Sequence, residues 1–234
     1  MRTARLASAA LMIFAASQVA FAACGYRGVT VSGSASEIAD TCRALSEILA
    51  YFQRLGFEIR PVVGVSFKRS VWLNPEGPAN KKVRVSGLFD AKRGTIVVTS
   101  WNSDLRSKRR PWGIPWRAPI AHSVLQHEFV HLAVAEIAGQ GLGRTWREFI
   151  AYAVEFELMD RNLRARILKN YPHVEAFESP ENVNPFIYSF DPDAFGLRAY
   201  LYTRTHGGPA FIRRLLTGNV SFRTETNEYF WPMR

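Results

Sequence analysis

The chain of 234 residues has few of the features that would build it from disulfides, leave it disordered or place it in a membrane. It has only two cysteines, so at most one internal disulfide can form and the fold must depend on a hydrophobic core. Hydrophobic residues make up 47% of the chain and charged residues 21%, a balance that excludes intrinsic disorder. Beyond the N-terminal segment, no apolar run approaches the roughly 18 residues that a membrane-spanning helix needs. We therefore expect a globular mature chain without a transmembrane segment.

The N-terminal segment has the pattern of a secretory signal. Two arginines among the first five residues precede an apolar stretch rich in small residues, which ends in Ala20-Phe21-Ala22. The order of basic, apolar and small-x-small residues predicts a signal peptide over 1–22, cleaved after Ala22. We therefore expect an exported protein, periplasmic or secreted, whose mature chain forms a single domain over 23–234.

The two cysteines lie close to the predicted mature N-terminus. Export makes a disulfide chemically possible, and Cys24 and Cys42 are its only candidates. A lipid anchor on Cys24 is the alternative, because Phe21-Ala22-Ala23-Cys24 loosely resembles a lipoprotein cleavage box. The sequence leaves both interpretations open.

The mature chain combines strand patterns with helical ones and predicts an α+β fold. A capping box followed by apolar residues at helical spacing predicts an amphipathic helix over 34–56. Residues 57–67 have the pattern of a strand, and Pro61 would suit only an edge position in a sheet. Residues 83–89 and 95–99 flank a loop that contains glycine, so they predict an antiparallel hairpin.

The chemistry is concentrated in the letters HEFVH at 127–131. Pro119 and Gly139 bracket an apolar segment, which predicts a buried helix. Two histidines four residues apart are offset by only about 40° around a helix, so both imidazoles can bind one zinc ion. Glu128 lies close enough to reach a water molecule at the metal without being a ligand itself. A packing role for the buried histidines is the alternative.

A catalytic zinc ion needs a third protein ligand. Glu148 lies on a second predicted helix, over 145–155, after a glycine-rich reversal that would return its side chain toward the first helix. Thr145 and Glu148 also match a capping box, in which Glu148 would only bond the start of its helix. Glu155, on the same face of that helix and about 10 Å further along, is the reserve ligand.

The two motifs together resemble those of the gluzincins, a group of zinc metallopeptidases. The letters HEFVH at 127–131 and WREFIA at 146–151 are similar to those of small bacterial members with a Trp-x-Glu-Gly-x-Ala type second motif. One departure is Phe149, which stands where glycine often follows the ligand glutamate. The resemblance implies a zincin-like fold: a small antiparallel or mixed sheet beside the buried HExxH helix, an edge strand along the cleft, and a helical C-terminal region.

The resemblance also implies roles for four residues. His127, His131 and Glu148 would bind one Zn²⁺ per chain, and Glu128 would be the catalytic general base. The implied function is an exported zinc metallopeptidase that hydrolyses peptide bonds in a peptide or protein substrate, with Glu128 taking the proton of a zinc-activated water.

The sequence does not identify the residue that would stabilise the oxyanion formed when water attacks the peptide carbonyl. The candidates are a set of hydroxyl and imidazole side chains downstream of the metal helix: Tyr152, Tyr188, Tyr200, Tyr202 and His206. His122 and His173 are not expected to be ligands, because His122 points about 140° away from His127 on the same helix.

The chain carries a formal net charge of +10, concentrated in short basic clusters. These are Lys68-Arg69, Lys81-Lys82, Lys92-Arg93 and Arg106 to Arg110, the last within a loop predicted over 101–118. No nucleic-acid motif accompanies them, and export argues against a nucleic-acid partner. An anionic envelope surface or an acidic substrate is the better target. The alternative function is therefore a non-catalytic envelope protein of zincin fold that binds anionic surfaces.

Overall fold

The computed structural model of the chain describes residues 24–73, 82–101, 110–139 and 141–219, together with the backbone of residues 20–22. Seven α-helices and seven short strands lie in these residues, which confirms the α+β class. The helices are α1 (Ala35–Arg54), α2 (Ala118–Ala138), α3 (Arg144–Leu158), α4 (Arg161–Asn170), α5 (Pro185–Phe190), α6 (Pro192–Thr205) and α7 (Pro209–Leu216).

The strands form a small mixed sheet and a separate two-stranded ribbon. They are β1 (Ala20–Ala22), β2 (Val29–Gly33), β3 (Val63–Lys68), β4 (Val71–Leu73), β5 (Val83–Val85), β6 (Gly87–Asp90) and β7 (Thr95–Thr99). The sheet has the order β1-β2-β3-β7-β6, and the ribbon pairs β4 with β5. The three central strands are parallel, whereas β1 and β6 pair antiparallel with their neighbours at the two edges.

The sheet and the helices bury α2 in the middle of the molecule. Helix α1 packs against β2, and α2 packs against α1, β6 and β7. Helix α3 covers α2 from the other side and in turn packs against α6. Since α2 contacts the sheet and two helices, it needs apolar residues on nearly every face, which explains its continuous apolar sequence.

Helix α1 confirms the predicted amphipathic helix. The Ser34 backbone N–H donates to the Glu37 carboxylate at 2.8 Å, and the Glu37 backbone N–H donates to the Ser34 hydroxyl at 3.4 Å. This is the predicted capping box, which satisfies two backbone donors at the helix start. Apolar residues at helical spacing, among them Ile48 and Phe52, form the buried face.

Two strand predictions are wrong in detail. The strand predicted over 57–67 begins only at Val63, and it is central in the sheet rather than at an edge. Pro61 precedes it, so its missing N–H costs no ladder hydrogen bond. The strand predicted over 83–89 is interrupted at Ser86, because β5 pairs with β4 while β6 pairs with β7. The hairpin is confirmed for β6 and β7.

The cysteines form the disulfide that the sequence left open. Cys24 and Cys42 are bonded, with their Cα atoms 5.0 Å apart. The bond ties the segment before β2 to α1 and excludes a lipid on the Cys24 sulfur, since that atom is already bonded. Residues 1–19, which hold most of the predicted signal peptide, lie outside the described residues. Cleavage after Ala22 would remove strand β1.

No helix within the described parts of the chain is long and apolar enough to cross a membrane.

Replacing both cysteines should destabilise the fold without changing it. The double variant Cys24→Ser/Cys42→Ser loses a crosslink that closes a loop of 18 residues. The free energy of unfolding should fall by about 3 kcal/mol, because the denatured chain gains entropy. Urea unfolding of the oxidised parent and the variant measures the difference. An unchanged denaturation midpoint would contradict the prediction.

Candidate metal centre

Helix α2 carries the HEFVH residues into the centre of the molecule. As predicted, Pro119 lies in its first turn, and Gly139 ends it with a positive φ of 53°. His127 and Glu128 are buried, and His131 is half-buried. Two imidazoles and a carboxylate therefore lie inside an apolar helix, where they need partners to offset the loss of water.

The partner for both imidazoles is Glu148 on α3. The Glu148 carboxylate oxygen Oε2 lies 3.4 Å from His127 Nε2 and 3.5 Å from His131 Nε2. The two Nε2 atoms are 3.1 Å apart. The structure thus brings together the three predicted ligands, whose donor atoms all lie within 4.8 Å of one another.

The spacing of these atoms fits a tetrahedral metal ion. Bonds of about 2.0–2.1 Å to nitrogen and oxygen give a zinc tetrahedron edges of roughly 3.3 Å. The three edges measured here, 3.1, 3.4 and 3.5 Å, lie close to that length. Two imidazoles and one carboxylate are also a donor set that catalytic zinc sites use. The residues present therefore fit a zinc ion with one position left open.

The turn between α2 and α3 explains why Glu148 faces the histidines. The Arg147 guanidinium donates to the backbone carbonyls of Leu142 and Gly139, both at 2.8 Å, and so fixes the reversal between the helices. The N-cap of α3 is Gly143, so Thr145 lies inside the helix and not at its cap. The capping-box interpretation of Glu148 is therefore wrong, and its carboxylate points toward α2.

Glu155 is not a metal ligand in this arrangement, which corrects its role as the reserve ligand. Its Oε2 lies 3.0 Å from Nδ1 of His127, the ring nitrogen that faces away from the ligand cluster. A carboxylate on the far nitrogen of a ligating imidazole fixes the ring orientation and makes the other nitrogen a better donor. Glu155 lies beside the earlier histidine because α3 returns along α2, so later residues of α3 meet earlier residues of α2.

Charges within the cluster balance one another. Burial lowers the pKa of His127, but hydrogen bonds that its ring donates to Glu148 and Glu155 outweigh this effect and hold the pKa well above its usual value. Burial raises the pKa of Glu148, but the two imidazoles outweigh it and hold the pKa well below its usual value. The raised pKa of His127 favours its charged form, which compensates the buried Glu148 carboxylate. A divalent cation can replace that positive charge.

Glu128 lies between the metal helix and the edge strand of the sheet. A Cβ atom added to Gly87 on β6 would meet the Glu128 Oε1 atom at 2.5 Å and the Val124 Cγ1 atom at 2.8 Å. Only glycine therefore allows β6 to approach this carboxylate so closely. Burial raises the pKa of Glu128, with His127 and His131 opposing the shift.

The structure separates the oxyanion candidates. Tyr188 on α5 lies close enough to the Glu148 carboxylate to be affected by its charge, and the Tyr152 ring lies 4.5 Å from the His127 ring. The other three have partners elsewhere: Tyr200 stacks on Phe156, and Tyr202 stacks on His206. Burial raises the pKa of Tyr188 and Tyr152 well above the usual value, so both hydroxyls keep their protons.

The remaining histidines lie apart from the ligand cluster, as expected. His122 lies between two carboxylates of α1. Its Nδ1 atom is 2.9 Å from Asp40 Oδ1, and its Nε2 atom is 2.9 Å from Glu47 Oε2. It links α1 to α2. His173 is exposed.

Three features of the site escaped sequence reasoning. These are the contact of Gly87 with Glu128, the role of Glu155, and the reason for Phe149. The Phe149 side chain is fully buried among the rings of Trp146, Phe177, Tyr202 and Phe211, so it fills the core behind Glu148. Only the position of Glu155, seven residues after Glu148 on one helix face, was a usable signal.

A family of unknown function, DUF6639, matches residues 29–225 of the chain. The chain belongs to this family. No curated protein and no solved structure matches it. The matched range of this DUF6639 protein includes the three candidate ligands, Glu128, Glu155 and Gly87.

The DUF6639 protein should hold zinc through His127, His131 and Glu148 and depend on Glu155 for affinity. We expect about one zinc ion per chain. Glu148→Ala should lose most of it, because a ligand is removed. Glu155→Ala should weaken zinc binding about 10- to 100-fold, because the His127 ring loses its orienting partner. Elemental analysis and competition with a chelator measure both effects.

The matched control for these variants is Glu157→Ala, which removes an exposed carboxylate from the same helix. It should leave zinc content unchanged. Full zinc occupancy in Glu148→Ala would place the third ligand elsewhere.

Gly87→Ala should disturb Glu128 while leaving the ligands in place. The added methyl would overlap the Glu128 carboxylate, so β6 or the side chain must move. Zinc content should be kept, whereas any activity that depends on Glu128 should be lost. Gly64→Ala on β3 is the control, since its added Cβ would meet only the Thr30 hydroxyl oxygen, at 3.4 Å, and Thr95 Cγ2, at 3.9 Å. Equal behaviour of the two variants would contradict the prediction.

Proposed function

We propose that this DUF6639 protein is an exported zinc metallopeptidase of gluzincin type that hydrolyses peptide bonds. The observation that carries the proposal is the cluster of His127, His131 and Glu148 with the buried carboxylate of Glu128 beside it. The α+β architecture, with a mixed sheet next to the HExxH helix and helices after it, is compatible with a zincin-like fold. Export rests on the N-terminal sequence pattern and on the single disulfide.

Glu128 is what favours catalysis over a structural metal site. A structural zinc ion is closed by four protein ligands and has no use for a base beside them. When bound, zinc would act as a Lewis acid that lowers the pKa of water and polarises a carbonyl group. Glu128 would take the proton of the attacking water and pass it to the departing amine. Its raised pKa suits a group that both accepts and returns a proton.

The edge strand β6 provides a place for an extended peptide. Within the described sheet, β6 has a neighbour on one side only. The Thr99 N–H donates to the Ser86 carbonyl, so Ser86 is hydrogen-bonded to β7. In an antiparallel ladder, residues that bond to the neighbouring strand alternate with residues whose backbone groups point away from it. The backbone groups of Gly87 and Phe89 therefore point toward the free edge. A substrate strand paired there would pass directly beside Glu128.

Tyr188 is the candidate best placed to stabilise the oxyanion. Burial and the negative charge of the nearby Glu148 carboxylate raise the pKa of its hydroxyl well above the usual value, so the hydroxyl keeps its proton. A neutral donor held in a buried site can hydrogen-bond an oxygen that gains negative charge during the reaction. Tyr152 packs against His127 by its ring and is better suited to positioning that ligand.

Glu128→Gln should abolish hydrolysis and retain zinc. Removing the general base should lower kcat by about 10²- to 10⁴-fold, while the three ligands stay in place. Zinc-loaded protein and a mixed peptide library, read by mass spectrometry, provide the assay. Glu136→Gln, on the exposed side of the same helix, is the control.

Two outcomes would overturn the proposal. One is hydrolysis by Glu128→Gln at the rate of the parent. The other is a zinc-loaded parent that cleaves no peptide, which would favour the non-catalytic envelope protein.

A further inference from the structure

The Tyr152 side chain packs against one of the candidate ligands. The centroid of its ring lies 4.5 Å from that of His127, with 64° between the ring planes, and the His131 ring lies 4.7 Å from the same imidazole. The hydrogen bond at Nδ1 of His127 and a metal bond at Nε2 hold two edges of the imidazole. Together they oppose only weakly a rotation about the line through the two nitrogens. Rings packed against the imidazole limit that rotation.

Helix α6 meets the Tyr152 ring through a glycine. A Cβ atom added to Gly196 would meet Tyr152 Cδ1 at 2.7 Å and Cγ at 3.0 Å. The neighbouring Phe195 adds an edge-to-face contact, with 6.2 Å between its ring centroid and that of Tyr152. Gly196 is buried inside α6, where glycine stabilises a helix less than alanine does. Its role is therefore one of packing, because any side chain at this position would push the Tyr152 ring away.

Trp112 packs against the same ring from outside the helices. Its indole is buried and lies 6.3 Å from the Tyr152 ring, with 86° between the planes. Among the described residues, Trp112 is the only non-glycine residue with a positive φ, which is 50°. This left-handed conformation is unfavourable for a bulky side chain, so it persists only where the surrounding structure enforces it.

Two side chains enforce the conformation of Trp112. Its backbone N–H donates to the Asp193 carboxylate at 2.9 Å, and its carbonyl accepts a hydrogen bond from the Asn170 side chain at 3.1 Å. Asp193 lies one turn before Gly196 in α6. Helix α6 therefore both places the indole and accommodates the Tyr152 ring. We name the surface around this ring the aromatic slot: Trp112, Phe195 and Gly196.

We propose that the aromatic slot positions His127 for metal binding. It acts through Tyr152: the slot fixes the Tyr152 ring, and this ring holds the imidazole in the orientation in which Nε2 of His127 faces Glu148. Tyr152 follows Glu148 by one helical turn, so α3 carries both a candidate ligand and the ring that orients another. The inference rests on the zinc site of the proposed function, but it does not depend on hydrolysis.

The test displaces or removes the Tyr152 ring and leaves the three candidate ligands in place. Gly196→Ala pushes the ring away from α6, and Trp112→Leu removes the indole that supports it. Tyr152→Leu removes the ring, whereas Tyr152→Phe keeps the ring without its hydroxyl. Val31→Ala is the control for a loss of core packing, because Val31 is buried in β2, three strands from β6.

Three measurements on the full chain report the effects. Competition with a chelator gives the zinc affinity. Cobalt(II), bound in place of zinc, has a visible absorption spectrum that depends on the coordination geometry. Urea unfolding of the metal-free protein shows how far each variant is destabilised.

We expect Gly196→Ala, Trp112→Leu and Tyr152→Leu each to weaken zinc binding about tenfold and to change the cobalt spectrum, because the imidazole loses its orientation. Tyr152→Phe should bind zinc as tightly as the parent, because the ring makes the contact. In a chain with Tyr152→Leu, Gly196→Ala should have no further effect, since no ring is left to displace. Val31→Ala should lose stability and keep the zinc affinity and the cobalt spectrum of the parent.

Parent-like zinc affinity and cobalt spectra in both Gly196→Ala and Trp112→Leu would overturn the inference. An equal loss of affinity in Val31→Ala would also overturn it, since zinc binding would then follow stability alone. Additive losses in Gly196→Ala/Tyr152→Leu would show that the glycine does not act through the ring, and a loss in Tyr152→Phe equal to that in Tyr152→Leu would assign the effect to the hydroxyl. Either result contradicts the inference. A zinc-loaded parent that cleaves no peptide would overturn the peptidase function but not the positioning of His127.

Discussion

The ion pairing between α2 and α3 is the interaction on which the centre of this protein depends. His127, Glu128 and His131 lie in a helix that is covered by the sheet and by two helices, where an uncompensated charge would be costly. Glu148 offsets that cost from the neighbouring helix. The packing that excludes water also brings the three candidate ligand atoms to distances close to the edge lengths of a zinc tetrahedron.

The surroundings of this cluster constrain it from three directions. Glu155 holds the far nitrogen of His127, Tyr188 lies near Glu148, and Gly87 lets the edge strand approach Glu128. Each contact comes from a different element, so the site is rigid only when the whole fold is assembled.

Local signals predicted the helices of this protein well and its strands less well. The capping box at Ser34 and the break at Gly139 mark helix ends through bonds between near neighbours. The strand predicted over 83–89 belongs to two different sheets, and nothing within its own letters marks the change at Ser86. The sequence placed Pro61 in an edge strand, but it lies just before a central strand. Which strands are central depends on partners distant in sequence, which local letters do not show.

The sequence by itself predicted that His127, His131 and Glu148 would come together, because residues four apart on a helix share a face and a glycine-rich reversal returns the next helix. Only the tertiary structure decided that Glu155 binds the second nitrogen of His127 and that Gly87 meets Glu128. It also decided that Tyr188 lies near Glu148. These contacts join residues 28 to 41 positions apart in the sequence. Which residues meet depends on how side chains pack between helices and strands, and no short-range sequence pattern contains that information.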